Sequence, residues 1–461
     1  MRKWNVLPLM LLAVMLFVSA CSGGGTAQNG TDSEGTVNSG TTTETAETET
    51  ETEGGAEEVA ADIPDLGGRV IKVAAWWDLT PAGETASDKA RLDKIAEVEK
   101  KYNVKIEFVN VPFEEYMNKF TTTALAGEPF ADIVQMEYKS ALPAILKGQL
   151  LPISEFTTAE NNINQEANLI TKFPAIAGEY YSFDNPISIG LGLHYNRDLF
   201  KKMSLPDPQE LYNQGEWNWD KFMELAKQAT KDTDNDGKID VYGFSGWPID
   251  VLRHLTAANG GTIVDDENSK EGLSDPKTIE AAEFVKRLYN VENVVKVKTG
   301  DKTNWEESNT FKDGDVALFT AAEWQLGDIT FAAGVVPIPN GPQGSKDVTY
   351  ANNAASAKFI PKGVEDPKIV YQIYEETYDI PQIEEYPGQD YLESRYTDEK
   401  DIAMIREHIA GTGRILLDDA YAGYPIGDYV NDIIKNNASV TATAEKYKAQ
   451  AQAAVDKLGK Q

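Results

Sequence analysis

Val104-Lys105-Ile106-Glu107-Phe108-Val109-Asn110-Val111 largely alternates apolar and polar residues, the period of a strand with one buried face. Upstream, residues 70–75 (VIKVAA) form another β-rich run. Between the two, residues 89–101 put Ile95 and Val98 at helical spacing, and Tyr102 continues that face. Downstream, residues 113–125 read as a helix and residues 132–136 (DIVQM) as a third strand. A βαβαβ order predicts an α/β fold with a parallel sheet and helices on both faces, and ligands on such sheets sit beyond the carboxyl ends of the strands. Those ends carry Trp76, Trp77 and Asp78 after the first strand, and Glu137 and Tyr138 after the third. Each aromatic there is either a ligand platform or ordinary core.

Farther along, residues 179–183 (EYYSF) and 187–196 read as extended, with turn chemistry at Asp184, Asn185 and Pro186. Residues 218–231 form a helix with Phe222, Leu225 and Ala226 on one side. Trp247 precedes a helix near 249–258 that carries Asp250, and Asp275-Pro276 opens another with proline in its first turn. Residues 316–319 read as a buried strand, followed by Ala322-Glu323-Trp324. Helices are expected over 367–378, 399–409 and 442–458, packed around a second lobe. Residues 67–461 exceed what one core usually serves, so two lobes are expected.

The chain begins with Arg2 and Lys3, an apolar run over residues 4–20, and then Val18-Ser19-Ala20-Cys21, the plan of an export signal over residues 1–20. Cys21 is the only cysteine, and its place after small residues resembles a bacterial lipobox, where the thiol receives a diacylglycerol and becomes the new N-terminus. Acyl chains there, palmitate-type included, would anchor the protein to the outer face of the cytoplasmic membrane. Residues 21–65 are rich in Gly, Thr, Ser, Ala and Glu, with no Lys or Arg, and cannot build a core. An acidic disordered tether with a reach of roughly 35 to 40 Å is expected, a length that suits the thick wall of a Gram-positive cell. The formal net charge of -31 argues against nucleic acid as a partner, since phosphate binding needs a basic face.

Asp232, Asp234, Asp236 and Asp240 stand at positions 1, 3, 5 and 9 of a loop with Gly237 at position 6, and Lys238 can offer its carbonyl at position 7. That is the ligand spacing of a calcium loop, although Gly243 occupies position 12, where a bidentate glutamate belongs. Structural calcium is expected, because unneutralised carboxylates so close would repel one another. The alternative is an acidic turn that holds no metal.

Few residues suggest catalysis. His194, His254 and His408 are scattered without partners at metal or triad spacing, and no nucleotide-binding or nucleophile-elbow motif opens a helix. Carboxylates are abundant, so an exported glycoside hydrolase stays open, and so does a sugar co-receptor for a signalling kinase.

Leu193-His194-Tyr195-Asn196-Arg197-Asp198-Leu199-Phe200-Lys201-Lys202 resembles the "LxYNxDLFKK" crossover of family 1 extracellular solute-binding lipoproteins, the receptors of bacterial carbohydrate ABC importers. Further motifs follow in the family's order. Ala126-Gly127 through Asp132-Ile133-Val134-Gln135-Met136 is similar to "AGxxPDIVxM", with Ala131 in place of proline, and residues 148–153 (GQLLPI) are similar to "GxLxPL". Residues 217–220 (WNWD) resemble "TWDE", residues 311–319 (FKDGDVALF) resemble "FxxGxxAM", and residues 336–342 resemble "PxPxGP". Residues 350–357 depart from the family's "GGxGWAI".

The resemblance implies a two-lobe periplasmic-binding-protein-like fold of type II, each lobe a mixed sheet flanked by helices. It assigns 67–180 and 315–350 to lobe one and 181–314 and 351–461 to lobe two, with a hinge between. It implies a monomeric, non-enzymic receptor that hands its solute to permease subunits. Eight Trp and twenty Tyr suit flat sugar faces, and acidic side chains suit ring hydroxyls, so a sugar or oligosaccharide is the expected ligand. The expected ligand-facing set is Trp76, Trp77, Asp78, Glu137, Tyr195, Trp247, Asp250 and Trp324. By the family pattern Trp324 stacks on sugar, the alternative being an ordinary core tryptophan; on the stacking reading Trp247 from the other lobe opposes it and Glu137 is the polar partner.

Overall fold

The computed structural model describes residues 63–155, 178–184, 191–327 and 329–458. The expected signal, Cys21 and the tether as far as residue 62 lie outside them.

Strands β1 (Arg69–Ala75), β2 (Val104–Asn110) and β3 (Ile133–Glu137) are parallel, as their alternation with helices requires. Helix α1 (Ala86–Tyr102) starts where the Thr85 hydroxyl accepts from Asp88 N–H, and it ends on Asn103 in the left-handed region. Helix α2 (Phe113–Ala126) closes on Gly127 at φ 75°, where a side chain would be strained. The period-2 pattern of β1 divides two cores. Ile71 and Val73 join Ile95, Val98, Ile106 and Ile133 on one face, and Ala74 joins Tyr116, Phe120 and Val134 on the other. Two polar contacts pin the layers: the Tyr116 hydroxyl donates to the Ala74 carbonyl at 2.8 Å, and Arg69 meets Asp132 at 2.8 Å.

In the second sheet β4 (Gly192–Asn196) lies between β8 (Val316–Ala321) and β9 (Ala333–Val336) and is antiparallel to both. Strand β5 (Tyr242–Ser245) completes it, parallel to β8. Two further two-residue strands, β6 (Val264–Asp265) and β7 (Lys270–Glu271), form a hairpin, and β10 (Tyr350–Asn352) pairs with β12 (Gly413–Ile415). The helix Trp219–Ala229 carries the expected apolar stripe, and Phe222 meets Phe244 of β5 edge to face at 5.4 Å.

Strand pairing corrects the expected lobe boundaries. Residues 315–350 were assigned to lobe one, yet β8 and β9 are bonded into the second sheet. Conversely, β11 (Ser356–Phe359) is antiparallel to β3, and Tyr371 and Tyr374 of the helix Pro367–Glu376 lie in the first sheet's core. The order of the first sheet is therefore β11-β3-β1-β2 and of the second β5-β8-β4-β9. Sheet membership follows from which backbone edge is free to pair, and a strand's own apolar pattern does not encode it. The tail does return to the second lobe: Asp401 accepts both guanidinium nitrogens of Arg197 at 2.7 and 2.9 Å, together with Gln209 and the Val335 N–H.

Candidate functional site

Parallel strands release their carboxyl ends on one edge, so β1 and β3 deliver Trp76, Trp77 and Glu137 side by side. Trp77 is exposed, whereas Trp76 is half-buried and packs edge to face on Trp77, Phe113 and Tyr116 at 4.9 to 5.6 Å. Asp78 is exposed and accepts the Thr80 N–H at 2.9 Å. Burial raises the pKa of the Glu137 carboxyl, opposed by the Lys139 ammonium 3.3 Å away.

In the second sheet, β5 and β8 are parallel and release Trp247 and Trp324 at one edge. Trp324 is 57% exposed, which excludes the core alternative. Trp247 is half-buried, and its indole N–H donates to the Thr303 carbonyl at 2.9 Å. Both tryptophans therefore stand on the same lobe, which corrects the expectation that they face each other. Tyr195 is also corrected. It is fully buried on β4, its hydroxyl donates to Asp207 at 3.0 Å, and Gly334 lies so close to its ring that an added Cβ would come within 2.4 Å. The neighbouring Asn196 caps the helix Arg197–Met203 by accepting from Leu199 N–H at 3.0 Å, so this stretch organises the lobe and does not face a ligand.

Trp247 leads into the helix Pro248–Ala258, whose Arg253 gathers three carboxylates: Asp250 at 3.1 Å, Asp418 at 2.6 Å and Asp419 at 2.7 Å. Lys139, in the first turn of α3 (Tyr138–Leu146) on the first lobe, approaches Asp419 to 3.8 Å and joins the two lobes into one charge cluster. Burial pushes the Asp250 carboxyl up, against the pull of Arg253. It pushes Asp418 up to about 6, with Arg253 opposing and Asp419 adding to the rise. One Asp418 oxygen, Oδ1, is buried without a hydrogen-bond partner among the described residues. Lys139, Arg253, Asp418 and Asp419 were missed in the sequence. An arginine inside the apolar run Val251-Leu252-Arg253-His254-Leu255 is the signal that could have found them, since a buried cation requires carboxylates nearby.

The arrangement presents acceptors between exposed or half-buried indoles, a chemistry suited to hydroxyl-rich rings. His194 and His254 are buried, and burial holds both near a pKa of about 3, neutral at physiological pH.

The acidic loop lies at the other end of β5 from Trp247. Asp232, Asp234 and Asp240 bring ligand oxygens within 4.8 Å of one another, a fit to part of a calcium shell. Asp236 turns to the Lys238 ammonium at 3.3 Å and stands outside that group, as does Lys238. Gly243 belongs to β5, where a Cβ would fall 2.0 Å from the Ala226 carbonyl oxygen, so position 12 has no room for a glutamate.

The Asp418 carboxyl holds its proton more tightly when folded than at its ordinary value of 3.8. Its contribution to stability is therefore fullest below that value and is lost as pH rises through about 6. Asp418→Asn removes this titration. Chemical denaturation at about pH 4 and about pH 7 should show wild type losing on the order of 2–3 kcal/mol relative to the variant as pH rises. A difference that does not change with pH contradicts the assignment.

No curated protein sequence matches the chain. Among solved structures, the cyclic alpha-maltosyl-1,6-maltose binding protein of Arthrobacter globiformis is similar with a TM-score of 0.63 and 17% identity, over 85% of this chain and 100% of that one. UspC of M. tuberculosis has a TM-score of 0.60 and 20% identity, over 84% and 100%. MalE of Bdellovibrio bacteriovorus, bound to maltotriose, has a TM-score of 0.58 and 16% identity, over 85% and 100%. These likenesses establish the two-lobe fold of solute-binding proteins. Residues 82–372 match the family described as bacterial extracellular solute-binding protein, and since that is more than half of the sequence, the chain belongs to this family.

Proposed function

We propose that the protein captures a sugar or oligosaccharide between its lobes and delivers it to the permease subunits of an ABC importer. The observation that carries this reading is the placement of Trp76, Trp77, Trp247 and Trp324 at the strand ends of two sheets, beside the Glu137, Lys139 and Asp419 cluster that joins them. Stacking on ring faces orients the sugar, and the carboxylates accept its hydroxyls. Contact with both lobes favours the closed state by the ligand's differential affinity. The oligosaccharide ligands named for the Arthrobacter and Bdellovibrio proteins support the class. The protein acts by binding and not by turnover.

A thermal-shift screen with malto-oligosaccharides and simple sugars tests this: a true ligand at a hundred times its Kd adds about 2.7 kcal/mol to folding. Trp324→Ala should then weaken binding by about 1–4 kcal/mol while the unliganded melting temperature barely moves, because the ring is exposed. Binding unchanged in that variant places the ligand elsewhere, and release of product from the sugars would show a hydrolase.

Anchoring through acylated Cys21 belongs to the same reading. No described helix is long and apolar enough to cross a membrane, and Cys21→Ser should send the protein into the medium. Retention of that variant at the membrane contradicts the anchor. Calcium on Asp232, Asp234 and Asp240 would neutralise the loop and stiffen it. Chelator should lower the melting temperature of wild type and leave Asp234→Ala unmoved; equal responses contradict a bound ion.

A further inference from the structure

Among the described residues the chain passes between the two sheets three times. Asp184 lies in the first lobe and β4 in the second, with residues 185–190 between them outside the described ones; the chain then returns from β10 to β11 and leaves again from the helix Pro367–Glu376 toward the helix Gln389–Arg395. At the first-lobe end of every passage stands a side chain of one hydrogen-bonded network. Asp184 closes the first. Lys358, two residues into β11, brings its ammonium to 2.6 Å from Asp184 Oδ2. Tyr374 and Tyr378, at the last departure, donate their hydroxyls to the same oxygen at 2.9 and 2.5 Å. The backbones of Phe183 and Lys358 exchange two hydrogen bonds at 3.1 and 2.9 Å, and the Arg91 guanidinium of α1 lies 3.2 Å from the centre of the Tyr378 ring.

We infer that Asp184 is a hinge anchor, a single carboxylate that ties together the first-lobe ends of these three crossings, so that the ends move as one unit of the first lobe. Four properties of the network support the role. Asp184 and Lys358 are both buried, and a region that needed only filling would be as stable with apolar side chains. Hydrogen bonds have direction, so they hold segment ends in one arrangement where apolar packing would let them slide. Asp184 also sits at φ 44°, on the left-handed side that is uncommon for a non-glycine residue, although aspartate tolerates it better than most. Burial alone would raise its pKa, yet Lys358 and Tyr378 hold it below the ordinary value, so the charge persists through the physiological range. Hinges absorb rotation in a few backbone angles at element ends, and Asp184, Lys358 and Tyr378 each stand within a few residues of such an end.

The inference concerns the unliganded protein and is tested without any sugar, so its failure is separate from failure of the transport reading. The full chain carrying Cys21→Ser is spin-labelled at Lys100→Cys, exposed on α1, and Lys202→Cys, exposed on the helix Arg197–Met203, and the interlobe distance distribution is recorded by pulsed paramagnetic resonance. The double variant Tyr374→Phe, Tyr378→Phe keeps both rings and removes both hydroxyl donors. It should remain folded by circular dichroism and give a wider distance distribution than its parent. Asp184→Asn should widen it further. A folded double variant whose distribution matches the parent's overturns the proposal even if its melting temperature falls, because the network then serves stability alone. Should Asp184→Asn fail to fold, the double variant decides the matter.

Discussion

A carboxylate withdrawn from water is tolerated only where cations or several donors meet it, and breaking such a set by removing one partner typically costs about 3–5 kcal/mol. Among the described residues three buried carboxylates obey that constraint, and each joins segments distant in sequence. Asp401 accepts Arg197, Gln209 and the Val335 backbone, and so brings the tail onto the second sheet. Asp418 holds Arg253 in the middle of the helix that begins beside Trp247. Asp184 gathers the three interlobe passages. The apolar cores supply most of the driving force, and these carboxylates settle which parts of the chain meet.

The same constraint shapes the candidate site. Lys139 serves Glu137 within its own lobe and approaches Asp419 across the boundary, so the charge balance of each lobe depends on its distance from the other. The indoles at the two strand edges contribute what charge cannot, a flat apolar surface whose contact with a ring depends on orientation. Membership of the extracellular solute-binding family places this apparatus outside the cytoplasm.

Local features were legible in the sequence because they arise from local physics. The Asp275-Pro276 start and the apolar stripe of the helix Trp219–Ala229 appear where spacing and first-turn proline require. The strand-end places of Trp76, Trp77, Glu137 and Trp324 are legible from runs and turns, whereas Trp247 is legible only as the residue before a helix, because the four-residue strand β5 carries no clear run of its own. The lobe assignment of β8 and β11 was not legible, since it depends on strand pairing among segments more than a hundred residues apart. Lys358 illustrates the difficulty: a lysine in the short run Ser356-Ala357-Lys358-Phe359 argues for a solvated face, and only the distant Asp184 makes its burial tolerable. Tyr195 misled for the opposite reason, because its motif marks a crossover whose side chains hold the lobe together.

The central claim is that solute is held between the carboxyl-end edges of two separate sheets. Hydrogen–deuterium exchange of the protein with and without the oligosaccharide that most raises its melting temperature tests it directly. The account predicts ligand-dependent protection of backbone amides around Trp77 and Lys139 on one lobe and around Trp247, Trp324 and Asp419 on the other. Protection confined to one lobe, or absent from both edges, would contradict it.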